Sequence, residues 1–179
     1  MARINPIDQS NTSTEILNAF KAHVDAYNGR ITNMKATLGH SLLAFDVYMQ
    51  WYPLYKEVEI ILGERLAYLF AYSVSYASDC PLCSTFFRKI IIDAGEVPER
   101  LDLSAKERRL TEFGSLIAKN HGNIPDYNYK KVAEHFTDKE MVILIAFVGQ
   151  MIATNIFNNV IETDIDGYLT EYISIPKLA

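Results

Sequence analysis

Apolar residues along this chain recur three and four positions apart, the spacing of helices that bury one face. No stretch alternates apolar and polar residues for long between turn residues, so strand signals are missing. The pattern predicts an all-α, bundle-like domain of seven or eight helices. The one run with a composition typical of strands, the three isoleucines of residues 90–92, lies inside a segment with helical start and stop signals. We therefore expect it to be helical.

Helix start signals place three of these helices. Three segments fit a capping box, in which a Ser or Thr and a Glu three positions later exchange hydrogen bonds at a helix start: residues 12–15, 104–107 and 137–140. The helices that follow are expected to run toward Tyr27, Asn120 and about Val160. The last of these is expected to be long and apolar.

The middle of the chain is predicted to hold four further helical stretches. They cover residues 41–51, 54–61, 63–77 and a segment that begins after Asp79. Pro53 interrupts the first two, and the third is apolar on most faces, so it should be buried. The fourth should end at Ala94, with Gly95 as a left-handed stop.

Length and charge narrow the class of protein. A chain of 179 residues and 20.4 kDa is expected to form a single domain, residues 1–179. A formal charge of −5 argues against nucleic acid as a partner. No apolar stretch follows the N-terminus, and the longest apolar run, residues 141–149, is shorter than the roughly 18–20 residues that span a bilayer. We therefore predict a cytoplasmic protein without membrane contact.

The acidic, aromatic-containing segment of residues 162–179 stands apart from the helical pattern. Two interpretations are open: a solvated extension, or a tail that packs on a neighbouring subunit. Chain termini are usually loosely ordered, which favours the solvated extension.

The two cysteines, Cys80 and Cys83, are the most informative pair in the chain. In a reducing compartment, cysteines this close are redox-active or bind metal more often than they form a structural disulfide. If Ser78 or Asp79 caps the helix, Cys80 falls in its first turn, where free N–H groups and the helix dipole favour a thiolate. Cys83 then lies on the same face, so the pair can close a disulfide and exchange electrons with a dithiol.

Other chemistries fit the pair less well. Structural zinc needs four ligands, but there is no second Cys pair and the four histidines are not spaced as a ligand pair. Haem attachment needs a His where Ser84 stands, and a thioredoxin fold needs strands. We predict no metal and no cofactor. Two buried, inert core cysteines remain an open alternative.

The segment of residues 65–95 resembles the alkylhydroperoxidase D-like, or carboxymuconolactone decarboxylase-like, family. It contains a buried helix, then Ser75-Tyr-Ala-Ser-Asp-Cys-Pro-Leu-Cys83, then a helix that ends at Ala-Gly. The likeness covers about residues 38–166 and includes His40 before the core and Asn155 and Asn158 in the last helix. The resemblance implies an all-helical fold that assembles into dimers, trimers or hexamers.

The resemblance also implies that the cysteine pair reduces a hydroperoxide. A dithiol donor, such as a lipoylated partner, then reduces the resulting disulfide. In the peroxidases of this family the second Cys attacks the peroxide and the first resolves it, which assigns these roles to Cys83 and Cys80. The helix-dipole argument favours Cys80 as the thiolate. The two assignments conflict, and the sequence leaves both open.

The sequence departs from the family pattern at two residues of the proton relay, the groups that would activate the thiol and protonate the leaving alcohol. The family's Glu, twelve residues before the first Cys, is Tyr68 here, and its His, four residues after the second Cys, is Phe87. The residues that could form a second shell are Tyr68, Tyr72, Ser75, Asp79, Phe87 and His40. Loss of acid–base help costs a factor of about 10²–10⁴, so modest activity is expected.

The sequence therefore predicts a thiol-dependent peroxidase or disulfide oxidoreductase that acts on a small hydroperoxide or disulfide. The alternative is a redox-sensing or ligand-binding member of the same fold that does not catalyse. A third hypothesis, decarboxylation of a ring lactone, is disfavoured because that branch of the family generally lacks the Cys pair.

Overall fold

The computed structural model describes residues 1–174, and within this range it is all-helical and contains no strand. The α-helices are α1 (Thr14–Tyr27), α2 (Asn33–Leu38), α3 (Leu42–Met49), α4 (Trp51–Leu62), α5 (Glu64–Ala77), α6 (Pro81–Asp93), α7 (Ala105–Lys119), α8 (Asp126–Ala133) and α9 (Asp138–Ile161). Two 3₁₀ helices cover Pro98–Arg100 and Gly167–Tyr172. The all-α prediction is confirmed. The described residues form nine α-helices rather than seven or eight, because α2 and α8 are too short to show a periodic pattern.

The predicted capping boxes of α7 and α9 are both present. Ser104 exchanges hydrogen bonds with Glu107, and Thr137 with Glu140. The box predicted at residues 12–15 is wrong, because Ser13 is the N-cap of α1 and its side chain accepts from the Ile16 N–H. Side-chain caps therefore fix where these three helices begin.

Helix α5 lies at the centre of the main core. It packs against α4, α6, α7 and α9, and its residues from Leu66 to Ala71 are almost all fully buried. The helix comes closest to α7 at Gly114, where an added Cβ would lie 2.7 Å from Cε2 of Phe70. Only glycine allows this approach. The central helix leads directly to the two cysteines at the start of α6.

A second, smaller core joins the N-terminal helices. Phe20, Leu38, Phe45 and Met49 are buried together, from α1, α2 and α3. His23 of α1 is also buried at its edge, in edge-to-face contact with Phe45 and Tyr52. This small core packs beside the cysteines through Met34, which contacts both groups of residues.

Residues 163–174 fold back over α6, and we call them the C-terminal strap. The Arg88 Nε donates to the Tyr172 carbonyl at 3.0 Å, and the Asp166 carboxylate accepts from the Asn33 N–H at 2.8 Å. Leu169 is 1% exposed. The expectation of a solvated extension is therefore wrong for these residues, because one buried leucine and several long-range hydrogen bonds fasten them. The rest of the predicted extension and of the predicted domain, residues 175–179, lies outside the described residues.

Helix α9 is the one described helix that is long and apolar enough to cross a membrane by length and composition. The count of uninterrupted apolar residues missed this because Gln150 divides the helix. The core helix of a globular protein passes the same test, and α9 packs on α4, α5, α6 and α7. A cytoplasmic location without membrane contact stays a prediction.

Candidate functional site

The two cysteines lie at the amino end of α6. Cys80 is itself the N-cap, so the expectation that Ser78 or Asp79 caps this helix is wrong. Asp79 takes a left-handed conformation (φ 48°) that turns the chain from α5 into α6, and the Cys80 N–H then donates to the Ser75 carbonyl at 3.2 Å. Cys83 follows on the first turn. Both are free thiols, and they are 1% and 9% exposed.

The environment drives the pKa values of the two thiols in opposite directions. The Cys83 thiol donates a hydrogen bond to Cys80, and with the backbone N–H groups of Cys83 and Leu82 this lowers the pKa of Cys80 against the opposing effect of burial. The same hydrogen bond, together with burial, raises the pKa of Cys83 well above its usual value. The two directions favour Cys80 over Cys83 as the thiolate, and the choice between them stays a prediction.

Apolar side chains surround the pair. Cys80 and Cys83 form a buried cluster with Leu82 and Leu169, and the partly buried residues packed against it are Met34, Phe86, Ile165 and Tyr168. Phe87, which we expected beside Cys83, belongs instead to the main core with Trp51. Three of the six apolar residues around the thiols, Ile165, Tyr168 and Leu169, belong to the strap.

Among residues 1–174, one side chain from outside the pair hydrogen-bonds a thiol sulfur. The Asn158 Nδ2 of α9 donates to the Cys83 Sγ at 3.3 Å, and the Asn158 Oδ1 accepts from the Thr163 hydroxyl at 2.9 Å. Asn158 was noted only as part of the family resemblance. The signal that could have singled it out is a buried amide among the apolar residues of α9, because a buried amide needs a partner.

Tyr68, at the family's Glu position, contacts a different group. Its hydroxyl donates to the Glu96 Oε1 at 3.0 Å, and burial followed by this hydrogen bond raises the pKa of Tyr68 to about 12. Glu96 also accepts from Arg65 at 2.6 and 2.9 Å, and Arg65 pairs with Glu107. This ion-pair network joins α5, α7 and the segment after α6, which gives Tyr68 a structural role.

Tyr72 faces a groove rather than the cysteines. Its hydroxyl hydrogen-bonds Arg88, and it lines a cavity of about 650 Å³ between α5 and α7 that also includes Tyr76, Glu99 and Ser115. Neither cysteine lines this groove. The structure thus separates Tyr72 from the site, although helical spacing places it on one face with Tyr68 and Ser75.

Two other predicted residues stand apart from the thiols. His40 is exposed, and its Nε2 donates to the Asn5 carbonyl at 3.0 Å, which ties down the N-terminal segment. Asp79 is exposed and shapes the turn. Of the residues expected around the thiols, Ser75 is the one that hydrogen-bonds the cysteine pair, through its backbone carbonyl.

Buried polar atoms without hydrogen-bond partners lie next to residues of the site. The Ser75 Oγ and both polar side-chain atoms of Asn155 have no partner, and both residues are 0% exposed. The Ser75 backbone carbonyl accepts a hydrogen bond from the Cys80 N–H. Asn155 lies one turn before Asn158 on the buried face of α9. Such atoms cost free energy unless something satisfies them, so they mark candidate contacts for a polar substrate atom.

Among residues 1–174, no group of three or more His, Cys, Asp or Glu side chains is placed to hold a metal ion. The reactive groups of the site are the two thiols.

The sequence itself matches no protein-family model and no curated protein. Comparison of the fold is more informative. The debrominase Bmp8 aligns with a TM-score of 0.73 at 13% identity, over 94% of this chain and 95% of that one. Its cysteine-to-alanine variant in complex with 2,3,4-tribromopyrrole aligns with a TM-score of 0.74 at 12% identity, over 94% of both chains.

Two peroxidase-related proteins share the fold as well. The protein from Silicibacter sp. TM1040 has a TM-score of 0.68 at 13% identity and covers 91% of this chain and 90% of its own. The one from Ralstonia eutropha JMP134, described as an alkylhydroperoxidase AhpD core, has a TM-score of 0.67 at 15% identity over 94% of both chains. These alignments extend beyond the predicted limits of residues 38–166. The chain therefore has the alkylhydroperoxidase D-like helical fold that the resemblance predicted.

Proposed function

We propose that this protein is a thiol-dependent oxidoreductase that reduces a small apolar hydroperoxide with Cys80 and Cys83. The observation that carries the proposal is the pair of free, buried thiols at the start of α6, with Asn158 bonded to the Cys83 sulfur. The opposite directions of the two pKa values agree with it. A pair of this kind supplies one thiolate for attack and one thiol that keeps its proton until it is needed.

The Cys80 thiolate attacks the outer oxygen of the hydroperoxide, the O–O bond breaks, and a sulfenic acid and an alkoxide result. The alkoxide takes a proton and leaves as an alcohol. Cys83 then attacks the sulfenic sulfur, which forms the Cys80–Cys83 disulfide and releases water. An external dithiol, such as a lipoylated partner, reduces this disulfide and is itself oxidised.

This assignment makes Cys80 the attacking residue, the reverse of the roles that the family resemblance implies. The electrostatics support it, because the Cys83 proton is held in the bond to Cys80. Asn158 donates to Cys83, and Ser75, whose buried hydroxyl has no partner, accepts from the Cys80 N–H through its backbone carbonyl. These groups are the nearest replacements for the family's Glu and His, and an amide and a hydroxyl are poor bases. We therefore expect slow turnover.

A second candidate function follows from the fold of the debrominase. A dithiol can remove bromine from an aromatic ring: the carbon–bromine bond breaks, the ring gains hydrogen, and the two thiols become a disulfide with release of bromide and a proton. The apolar cover of Phe86, Met34 and Leu169 suits an apolar ring as well as an apolar peroxide.

The test measures cumene hydroperoxide consumption with dihydrolipoamide as the donor. The wild type should turn over, and Cys80→Ser and Cys83→Ser should each lose activity by about 100-fold or more. Tyr68→Phe is the matched control, because its hydroxyl bonds Glu96 and not a thiol, so it should retain wild-type turnover. The same series with 2,3,4-tribromopyrrole, followed by bromide release, tests the second candidate.

Mass spectrometry after oxidation separates the remaining possibilities. A Cys80–Cys83 disulfide that forms without turnover of either substrate would support the redox-sensing alternative. A wild type that neither consumes substrate nor oxidises its thiols would overturn the proposal. Alkylation of the wild type across pH, with each labelled cysteine identified by mass spectrometry, shows which thiol ionises first, and a lower apparent pKa for Cys83 would overturn the assignment to Cys80.

A further inference from the structure

Helix α9 exposes an apolar face that nothing within residues 1–174 covers. No charged residue occurs from Met141 to Ile161. The exposed fractions are 67% for Val142, 56% for Ile156 and 58% for Val160. Scattered surface hydrophobes need no explanation, but a continuous apolar stripe marks an interaction site.

The exposed residues form one straight stripe. At 3.6 residues per turn, its members all lie within about 40° of a common line along the helix: Val142, Ala146, Gly149, Ala153, Ile156 and Val160. Buried residues such as Met151 lie on the opposite side of the helix. An added Cβ at Gly149 would meet nothing within 4 Å, so the middle of the stripe is flat and open.

The order of residues along the stripe points to one kind of partner. The stripe is nearly palindromic, with branched apolar residues at both ends and small residues at the centre. A second copy of α9 laid antiparallel on the first brings Val142 against Val160 and Gly149 against Ala153, twice by symmetry. A two-fold contact requires a self-complementary surface of this kind. The small central residues allow two helix backbones to approach closely.

The charges of α9 agree with this arrangement. An uncharged face meets an uncharged face, so no ionised group is desolvated at the contact. Asp138 and Lys139, at the amino end, are both brought toward the carboxyl end of the other helix, so their opposite charges offset each other there. Glu162, which already pairs with Arg3, lies at that same end.

We propose that this stripe of α9 is a two-fold interface at which two copies of the chain pair their α9 helices antiparallel, centred between Gly149 and Ala153. This surface does not include the cysteines, so its test is independent of the proposed chemistry. The proposal replaces a general expectation of a homo-oligomer with a defined face and register.

Light scattering after size-exclusion chromatography tests the assembly. The wild type should have twice the 20.4 kDa mass of one chain, or a larger even multiple. Ala153→Arg places a charge at the centre of the stripe and should weaken the α9 pairing by ~100-fold or more. Val97→Arg is the matched control at an exposed apolar residue on another element, and it should keep the wild-type mass. Far-UV circular dichroism shows that each variant is folded.

Cross-linking tests the register. When a Gly149→Cys chain is mixed with an Ala153→Cys chain under oxidising conditions, the mixture should form a disulfide-linked dimer faster than either chain alone. A Val97→Cys chain should form none. Equal rates for the mixture and the single variants would overturn the antiparallel register.

Three results would overturn the interface itself. They are a monomeric wild type at about 50 µM, more than enough for a specific dimer, an Ala153→Arg variant with unchanged mass, and a monomer that instead floats with phosphatidylcholine vesicles. The last result would identify a lipid surface as the occupant of the stripe.

Discussion

Individual residues of the site are polar where a well-packed core would be apolar. The Ser75 Oγ is fully buried without a partner, and so are the amide atoms of Asn155. An unsatisfied buried group lowers stability by about 1–3 kcal/mol, so chains retain one where it has another use. Here the two residues lie beside the groups that hold Cys80 and Cys83.

Replacing Ser75 should therefore lower the peroxide turnover without lowering the stability of the fold. We expect Ser75→Ala to leave the free energy of unfolding unchanged or to raise it by up to about 1 kcal/mol, because an unpartnered hydroxyl is removed. Peroxide turnover should fall by about 10-fold if that hydroxyl contacts the substrate. Urea denaturation and the turnover assay measure the two effects.

Ser73 of the same helix provides the comparison. Its hydroxyl donates to the Phe70 carbonyl at 2.7 Å, so Ser73→Ala should lose stability and keep its turnover. A Ser75→Ala variant that is less stable by more than 1 kcal/mol would mean that the Ser75 hydroxyl has a structural partner.

At the scale of elements, the C-terminal strap decides whether a reactant can reach the thiols. Leu169 covers the cysteine pair, and the strap is fastened at separate points by Arg88, Asn33 and the stacking of Arg30 on the Tyr168 ring at 4.1 Å. Cysteines that are 1% and 9% exposed react slowly with a bulky reagent unless this cover moves.

Shortening the covering side chain should expose the thiols. We expect Leu169→Ala to raise the rate of alkylation of Cys80 and Cys83 by iodoacetamide by about 10-fold or more, because a buried leucine contributes about 2–5 kcal/mol to its packing. Quenched mass spectrometry measures the rate. Leu43→Ala, at a residue that is 76% exposed, is the control and should change nothing. Equal rates in wild type and Leu169→Ala would show that reactants enter by another route.

Helices α7 and α9 and the C-terminal strap differ in how well the sequence predicts them. Helices α7 and α9 were predictable because a capping box and a long apolar pattern agree at each. The strap was not, because its 3₁₀ helix gains its stability from distant partners such as Arg88 and Asn33, and these pairings leave no local pattern.

At the site, sequence spacing identified the cysteine pair and not its surroundings. Helical spacing placed Tyr68 and Tyr72 on one face, but it could not show that Tyr68 bonds Glu96, 28 residues away, while Tyr72 bonds Arg88. Asn158 reaches Cys83 across 75 positions. Contacts of this range depend on how α5, α6 and α9 pack, and no local rule supplies that.

For the whole molecule, the buried histidine of the small core links stability to pH. His23 is 5% exposed among aromatic rings, with Lys35 nearby, and burial lowers the pKa of His23 to about 4. The unfolded chain, in which a histidine titrates near its usual pKa of about 6.5, binds the proton more readily. The folded state is therefore favoured above pH 6.5, and this contribution is lost as pH falls from about 6.5 to 4.

His23→Phe should remove this dependence. We expect the free energy of unfolding of the wild type to decrease by up to about 1.4 kcal/mol for each pH unit between 6.5 and 5, and that of the variant to change less over the same range. Urea denaturation at several pH values measures both, and carboxylates that titrate near pH 5 cancel in the difference. Phenylalanine suits a position that already packs against Phe45 and Tyr52 and leaves no ring nitrogen unpartnered. Parallel pH profiles for the two proteins would show that His23 stays uncharged in both states or finds a partner when protonated, and would remove it as the source of acid sensitivity.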